Sequence, residues 1–176
     1  MYEERKKGTH AFTAFNFLQK TSLLAPWPLQ IAEAEINFMQ KHDIQSCAIH
    51  QVHYPDRLVQ IPDPPTLLFI KGSKDFNLPQ LISIVGSRQH TIQVRRVIQE
   101  LLEGLAHLKI GVVSGMALGV DGIAHEQAIL NQIPTWGVLA HGLDQIYPPE
   151  HRQLAVKMLD RGGLITEYRK ETVPLP

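Results

Sequence analysis

The chain has 176 residues, enough for one ordinary domain with a small appendage and a substantial buried core. Its 44% hydrophobic and 19% charged content excludes an intrinsically disordered protein. Lys+Arg and Asp+Glu balance at 17 each, which argues against a broad polyanion-coating surface while leaving room for a local basic patch.

The start, MYEERKKGTH, is not followed by the apolar core of a signal peptide, and no run approaches the ~18 apolar residues of a membrane span. The single cysteine, Cys47, excludes an internal disulfide and fits a reducing compartment; its apolar setting predicts a packing role. A cytoplasmic protein without membrane contact is expected.

In chain order, Phe12, Phe15 and Leu18 could line one face of a short helix, which Pro26-Trp-Pro28 then ends. Leu29, Ala32, Ile36 and Met39 predict a helix over LQIAEAEINFMQKHD. Ser46–His50 reads as a short strand. Tyr54–Pro65 carries four prolines and must be an irregular connector. Leu67–Ile70 reads as another strand, closed by Lys71-Gly72-Ser73. From Leu81 the pattern becomes regular: a strand at LISIV, then a helix marked by Val94, Val97, Ile98, Leu101, Leu102, Leu105 and Leu108. Thr91 is placed to cap that helix. IGVV follows as a strand, Val120–Leu130 as a helix, TWGVLA as a strand, Glu150–Leu159 as a helix, and Leu164–Tyr168 as a final strand.

This alternation implies a parallel sheet with helices packed on its faces. Right-handed crossovers set all strand C-termini on one edge, where open α/β sheets bind ligands. Three glycine-containing loops leave that edge: Gly86-Ser87-Arg88, Ser114–Gly122, and His141-Gly142-Leu143-Asp144. Such loops can point free N–H groups at an anion, or can simply turn the chain. The spacing Gly115-x3-Gly119-x2-Gly122 fits neither a dinucleotide nor a Walker fingerprint, so no nucleotide cofactor is expected.

Arg88 is the best single phosphate contact, since a guanidinium can grip phosphate oxygens with two parallel hydrogen bonds. Asp121 is expected to bond loop N–H groups and fix the turn, leaving the anion nearer Ser114, Gly115 and Arg88. Asp121 and His125 sit at i and i+4 and could form a base and its orienter, but a structural histidine is the preferred reading. Ser87 lacks the second glycine of a nucleophile elbow. His50-Gln-Val-His53 lacks completing ligands, so no metal site is expected. Tyr147 either stacks on a base or, the preferred reading, serves with Pro148 and Pro149 as a rigid lid.

These residues carry a family pattern. Tyr54-Pro…Ile-Pro-Asp-Pro-Pro65, Leu68-Phe-Ile-Lys-Gly72, Ile84-Val-Gly-Ser-Arg88, Val113–His125, Gly142-Leu-Asp-Gln-Ile-Tyr-Pro-Pro149 and Thr166-Glu-Tyr168 occur in order. With them the chain resembles the DNA-processing protein A (DprA/Smf) family. The resemblance implies an α/β fold, an extended Rossmann-like, doubly wound, mostly parallel sheet in three αβα layers. The matching motifs cover roughly Ile31 to Pro176; the Rossmann-like domain is expected over 46–176, incomplete at its C-terminal end, with 1–45 as an N-terminal helical extension. The resemblance also implies a non-enzymatic protein of DNA uptake, natural transformation and recombination, which binds single-stranded DNA and delivers it to the recombinase RecA, with a homodimer for the full-length protein. Carried over by motif, Gly86, Ser87, Arg88, Ser114, Gly115, Met116, Ala117 and Gly119 would bind DNA phosphates. Asp121, His125, Gly142, Asp144 and Tyr147 would shape the pocket.

Three departures stand out. The sequence ends at Pro174-Leu-Pro176, where the family continues into a Pro-x-Arg-Asn-Arg segment; a fragment of a longer protein is expected. Asn131-Gln-Ile-Pro134 replaces a stretch that often carries lysine, and His141 replaces a small residue. An alternative is a small-nucleotide enzyme or sensor on the related scaffold of the lysine-decarboxylase-like group. That group's Pro-Gly-Gly-x-Gly-Thr-x-x-Glu loop is absent here. A third is a protein-contact role for the exposed face of the Thr91–Lys109 helix.

Overall fold

A computed structural model describes residues 29–73 and 75–174. The helix expected around Phe12, Phe15 and Leu18 lies outside them. The chain divides into two compact units, Met1–His42 and Asp43–Pro176. In the first, α1 spans Leu29–Lys41, with basic Lys41 in its last turn where the helix dipole favours a cation. The Phe38 and His42 rings meet at 4.5 Å across its C-terminal end.

The second unit holds one six-stranded sheet in the order β1-β2-β6-β5-β4-β3. Its strands are β1 (Ile44–Ala48), β2 (Leu67–Gly72), β3 (Gln80–Ser83), β4 (Ile110–Ser114), β5 (Thr135–Leu139) and β6 (Gly163–Thr166). β3, β4, β5 and β6 run parallel, whereas β2 pairs antiparallel with both β6 and β1. The Rossmann-like α/β class expected from the sequence is therefore present, as four parallel strands extended by an antiparallel pair.

Because β3 to β6 are adjacent in chain order, successive right-handed crossovers carry α2 (Ile92–Leu105), α3 (Val120–Leu130) and α4 (Arg152–Met158) to one face. Alternation along the strands then sorts the core. Ile110 and Val112 of β4 join Ile98 and Leu102 of α2 and Ile123, Ala124 and Ala128 of α3 in one buried cluster. Leu139 and Leu164 join Leu154, Ala155 and Met158 under α4. The opposite face buries Leu68, Ile70 and Trp136 with Cys47, Tyr54 and Phe76, so Cys47 does pack in the core.

That opposite layer is irregular chain held by side chains. The Tyr54 hydroxyl donates to the Pro65 carbonyl at 2.6 Å and closes the proline-rich connector. Arg57 donates to the carbonyls of Leu78 and Pro79 at 3.2 and 2.9 Å. The Trp136 indole donates to Ser73 at 3.2 Å and meets the Phe76 ring edge-on at 5.6 Å. Thr91 takes the extended cap conformation before α2 but makes no side-chain cap bond, so the expected cap is one of backbone shape only. α4 begins at Arg152 rather than Glu150, because Pro149–His151 first forms a tight 3-10 turn. Among the described residues, no helix is long and apolar enough to cross a membrane.

Candidate functional site

The parallel strands end side by side, and their ends are stitched together. The Ser114 hydroxyl donates to the Ile84 carbonyl, tying the end of β4 to the end of β3. The Thr166 hydroxyl donates to Leu139 O at 3.0 Å and accepts from Tyr168 N at 3.0 Å, doing the same for β5 and β6. Ser114, expected as a phosphate ligand, is buried and its hydroxyl hydrogen is already used.

Two of the three glycine-containing loops dock on one another. Val120 N–H donates to the Ser87 carbonyl at 3.2 Å. Gly119, at φ +85°, lies so close to this loop that a Cβ would sit 2.3 Å from Ser87 O and 2.5 Å from Arg88 O. Only glycine satisfies both the positive φ and that approach. The Ser87 hydroxyl accepts from Gln89 N at 3.1 Å, which leaves its own hydrogen for another partner. Arg88 is exposed, and among the described residues it has no hydrogen-bond or ion-pair partner. By contrast Arg95 pairs with Glu126 at 2.9 Å and Arg96 with Glu100 at 2.7 Å.

The Ser114–Gly119 loop is fixed from beneath by two histidines. His125, fully buried, has Nε2 2.6 Å from the Gly115 carbonyl and Nδ1 2.7 Å from the Thr135 hydroxyl. A carbonyl can only accept, so Nε2 carries the hydrogen and the neutral ring accepts from Thr135 at Nδ1. Burial pushes this imidazole down to about 4, against an opposing pull from the Gly115 carbonyl. A second ring, His151, donates from Nδ1 to the Met116 carbonyl at 2.8 Å. It lies against the start of α3, where a Cβ on Gly122 would be 2.7 Å from the ring. The Met116 side chain is itself buried in the α4 cluster, so only its backbone can face a ligand.

Asp121 departs from expectation. It is buried in the first turn of α3 with Oδ2 close against Gly115, yet among the described residues it accepts no hydrogen bond. Its charge is compensated by the positive end of the helix rather than by loop N–H groups. Nor does it touch His125, both of whose nitrogens are already engaged, so the pair is not arranged for proton transfer.

The third loop is held elsewhere. Gly142 N–H and the Gln145 amide both donate to the Thr172 carbonyl, at 3.1 and 3.0 Å, and buried Gly142 packs against Arg169 and Lys170. Buried His141 donates from Nδ1 to Gly142 O at 2.9 Å. Asp144 is exposed, and Tyr147 is 45% exposed while its neighbour Pro148 takes the buried place. Tyr147 therefore offers a ring to solvent rather than a lid over the core. The structure thus joins Gly86–Arg88 with Ser114–His125, and reaches the Gly142–Tyr147 segment through His151, just beyond its end. Sequence reasoning missed His151. Gly122, bare of a side chain at a buried helix position, was the one signal pointing to something seated there.

The model of DNA recombination-mediator protein A matches residues 45–176. The DNA processing protein DprA of Bacillus subtilis is 35% identical over 136 residues, covering 77% of this chain and 46% of that protein. Protein Smf of Escherichia coli is 28% identical over 159 residues, covering 90% and 42%. The X-ray structure of DNA processing protein A from Streptococcus pneumoniae superposes with a TM-score of 0.68 at 30% identity, over 79% of this chain and 50% of that one. The Helicobacter pylori protein, whose structure was described for its single-stranded DNA binding mode, gives 0.65 at 30% identity, over 74% and 59%. The chain spans a little under half the length of these curated relatives. It belongs to the DNA recombination-mediator protein A family.

Proposed function

We propose that this chain binds the phosphate backbone of single-stranded DNA at the strand-end edge, without turnover chemistry. The observation that carries the reading is Arg88: an unpaired, exposed guanidinium on a loop docked against Gly119, beside a second glycine loop and the start of a helix. Gly86, Ser87, Arg88, Gly115, Met116, Ala117 and Gly119 supply the contact surface in this reading. Ser114, Asp121, His125, Gly142 and Asp144 shape it from behind or beside, and Tyr147 offers a stacking face. The site lies within the Asp43–Pro176 unit.

The biological role follows the family: DNA processing in uptake and recombination, in the cytoplasm, with RecA as recipient of the strand and a homodimer for the longer protein. The single-stranded DNA binding of the Helicobacter pylori relative supports the ligand class. A nucleotide enzyme is less well supported, because the only histidine of the Ser114–His125 segment is buried and doubly bonded.

The test is titration of labelled single- and double-stranded oligonucleotides at several salt concentrations. Binding should favour the single strand and weaken steeply with salt. Arg88→Glu should nearly abolish it; equal binding by that variant sinks the site assignment. A large thermal shift with mononucleotide and none with oligonucleotide would favour the enzyme or sensor reading. Retention of RecA by immobilised chain, with and without DNA, tests the delivery step.

A further inference from the structure

The Ser114–Gly119 loop has no cation of its own, yet its shape is held with unusual care. Two imidazoles from different elements each donate to one of two consecutive carbonyls. His125 of α3 holds Gly115 O at 2.6 Å, and His151, from the turn before α4, holds Met116 O at 2.8 Å. In a trans peptide the C=O and the following N–H point in opposite directions. Drawing the Gly115 and Met116 carbonyls toward the imidazoles therefore turns the Met116 and Ala117 N–H groups away from them. Neither N–H has a partner among the described residues. Two successive free N–H groups can converge on one anion, which must stand clear of the Asp121 carboxylate held against Gly115 at the positive end of α3.

The rings are themselves locked. His125 is fixed by Thr135 at 2.7 Å on its other nitrogen, in a fully buried position. His151 rests on Gly122, where any side chain would collide with it at 2.7 Å. Two supports on separate elements exceed what a turn requires, since Gly119 already relieves the backbone at positive φ.

We propose that His125 and His151 are positioning residues of the DNA site, aiming the Met116 and Ala117 N–H groups at a backbone phosphate. Neither ring contacts the DNA. This rests on the DNA-binding reading above and adds to it the donors and the groups that aim them. The site divides its work: Arg88 supplies charge, and the histidine-held peptides supply two neutral, fixed donors. Because His151 lies just past the Gly142–Pro149 segment, it also ties that segment to the phosphate loop.

The experiment measures binding of fluorescein-labelled oligo-dT by anisotropy across a salt series, at about pH 8, where an ordinary histidine is neutral. Melting temperature and amide NMR spectra are recorded for each protein. His151→Leu should lose about tenfold in affinity, the scale of misaligned donors to a charged group, with an unchanged salt slope and near-native melting. His151→Asn, whose side-chain N–H can take the place of Nδ1–H, should recover most of that loss. In the wild type, oligo-dT should shift the Met116 and Ala117 amide resonances, and the His151→Leu variant should lose those shifts. Wild-type affinity in His151→Leu overturns the proposal, as does an Asn variant as weak as the Leu variant. A salt slope lowered by about 0.7 also overturns it, because His151 would then take up a proton on binding and meet a phosphate itself as a cation. Should His151→Leu not fold, unmoved Met116 and Ala117 amides in DNA-saturated wild type still refute it. Failure of folded wild-type chain to bind oligo-dT removes the DNA reading and this one together, an outcome distinct from all the others.

Discussion

The Gly86–Arg88 and Ser114–Gly119 loops leave neighbouring parallel strands and touch, but they are built in opposite ways. The first ends an edge strand, is exposed along its length, and carries a free cation. The second ends an interior strand, carries no charge, and is tied down through Ser114, His125 and His151. An edge loop can keep a long side chain hydrated and mobile, so it suits a charge that meets phosphate from solvent. An interior loop can be braced from below, so it suits main-chain donors that must not move. Attraction and geometry are thus assigned to different strands.

The contact between the loops is the place to break this division. Gly119→Val would need positive φ in a β-branched residue and would meet the Ser87 and Arg88 carbonyls. The loops should part, with about 2–4 kcal/mol lost in chemical denaturation and binding reduced by about a hundredfold or more. Removing charge while keeping shape gives a cleaner result. Arg88→Ala should leave melting unchanged, weaken oligonucleotide binding by about tenfold, and lower the salt slope by about 0.7.

The braced loop should respond to pH through its core histidine. Folding holds His125 at about 4, against 6.5 for a free imidazole, so the unfolded chain takes up a proton that the folded chain refuses. The stabilisation is complete above about 6.5 and is lost as pH falls toward about 4, by at most about 3 kcal/mol. Denaturation midpoints measured across that window should fall, and His125→Gln should flatten the part of the slope due to this group. The smallest effect separates stability from function. Gly122→Ala should raise intrinsic helix stability by about 0.5–1 kcal/mol while pushing the His151 ring aside. Binding should fall severalfold even though melting does not, which would sharpen the distinction between a loop that is folded and one that is aimed.

Much of this division was legible in the sequence. Alternating short apolar strands and the 3.6-residue stripe of Val94–Leu108 foretold the parallel sheet, its crossovers and the edge where the loops meet. The exposed place of Arg88 at that edge followed from its position after a strand-end glycine. What the pattern could not supply was partnership between distant residues. The Ser114 hydroxyl looks like a ligand until the Ile84 carbonyl is found beside it, and Asp121 looks like a bonding cap until it is seen unbonded. His151 follows a proline turn in a different element, so no local periodicity marked it. β3 also ended at Ser83 rather than Val85, and β6 at Thr166 rather than Tyr168, because the loops bend away as soon as a neighbour's ladder ends.

The pinned peptide after Met116 separates two properties that usually travel together, rigidity and protection from hydrogen exchange. An amide in a regular helix or strand is slow to exchange because its partner must first be broken. The Ala117 N–H is held in place by what its own peptide's carbonyl bonds to, while the N–H itself has no partner among the described residues. It should exchange with deuterium quickly in the free protein even though its surroundings barely move. Occupancy of the site should then appear as one of the steepest local slowings in the chain, without any refolding of the loop that carries it.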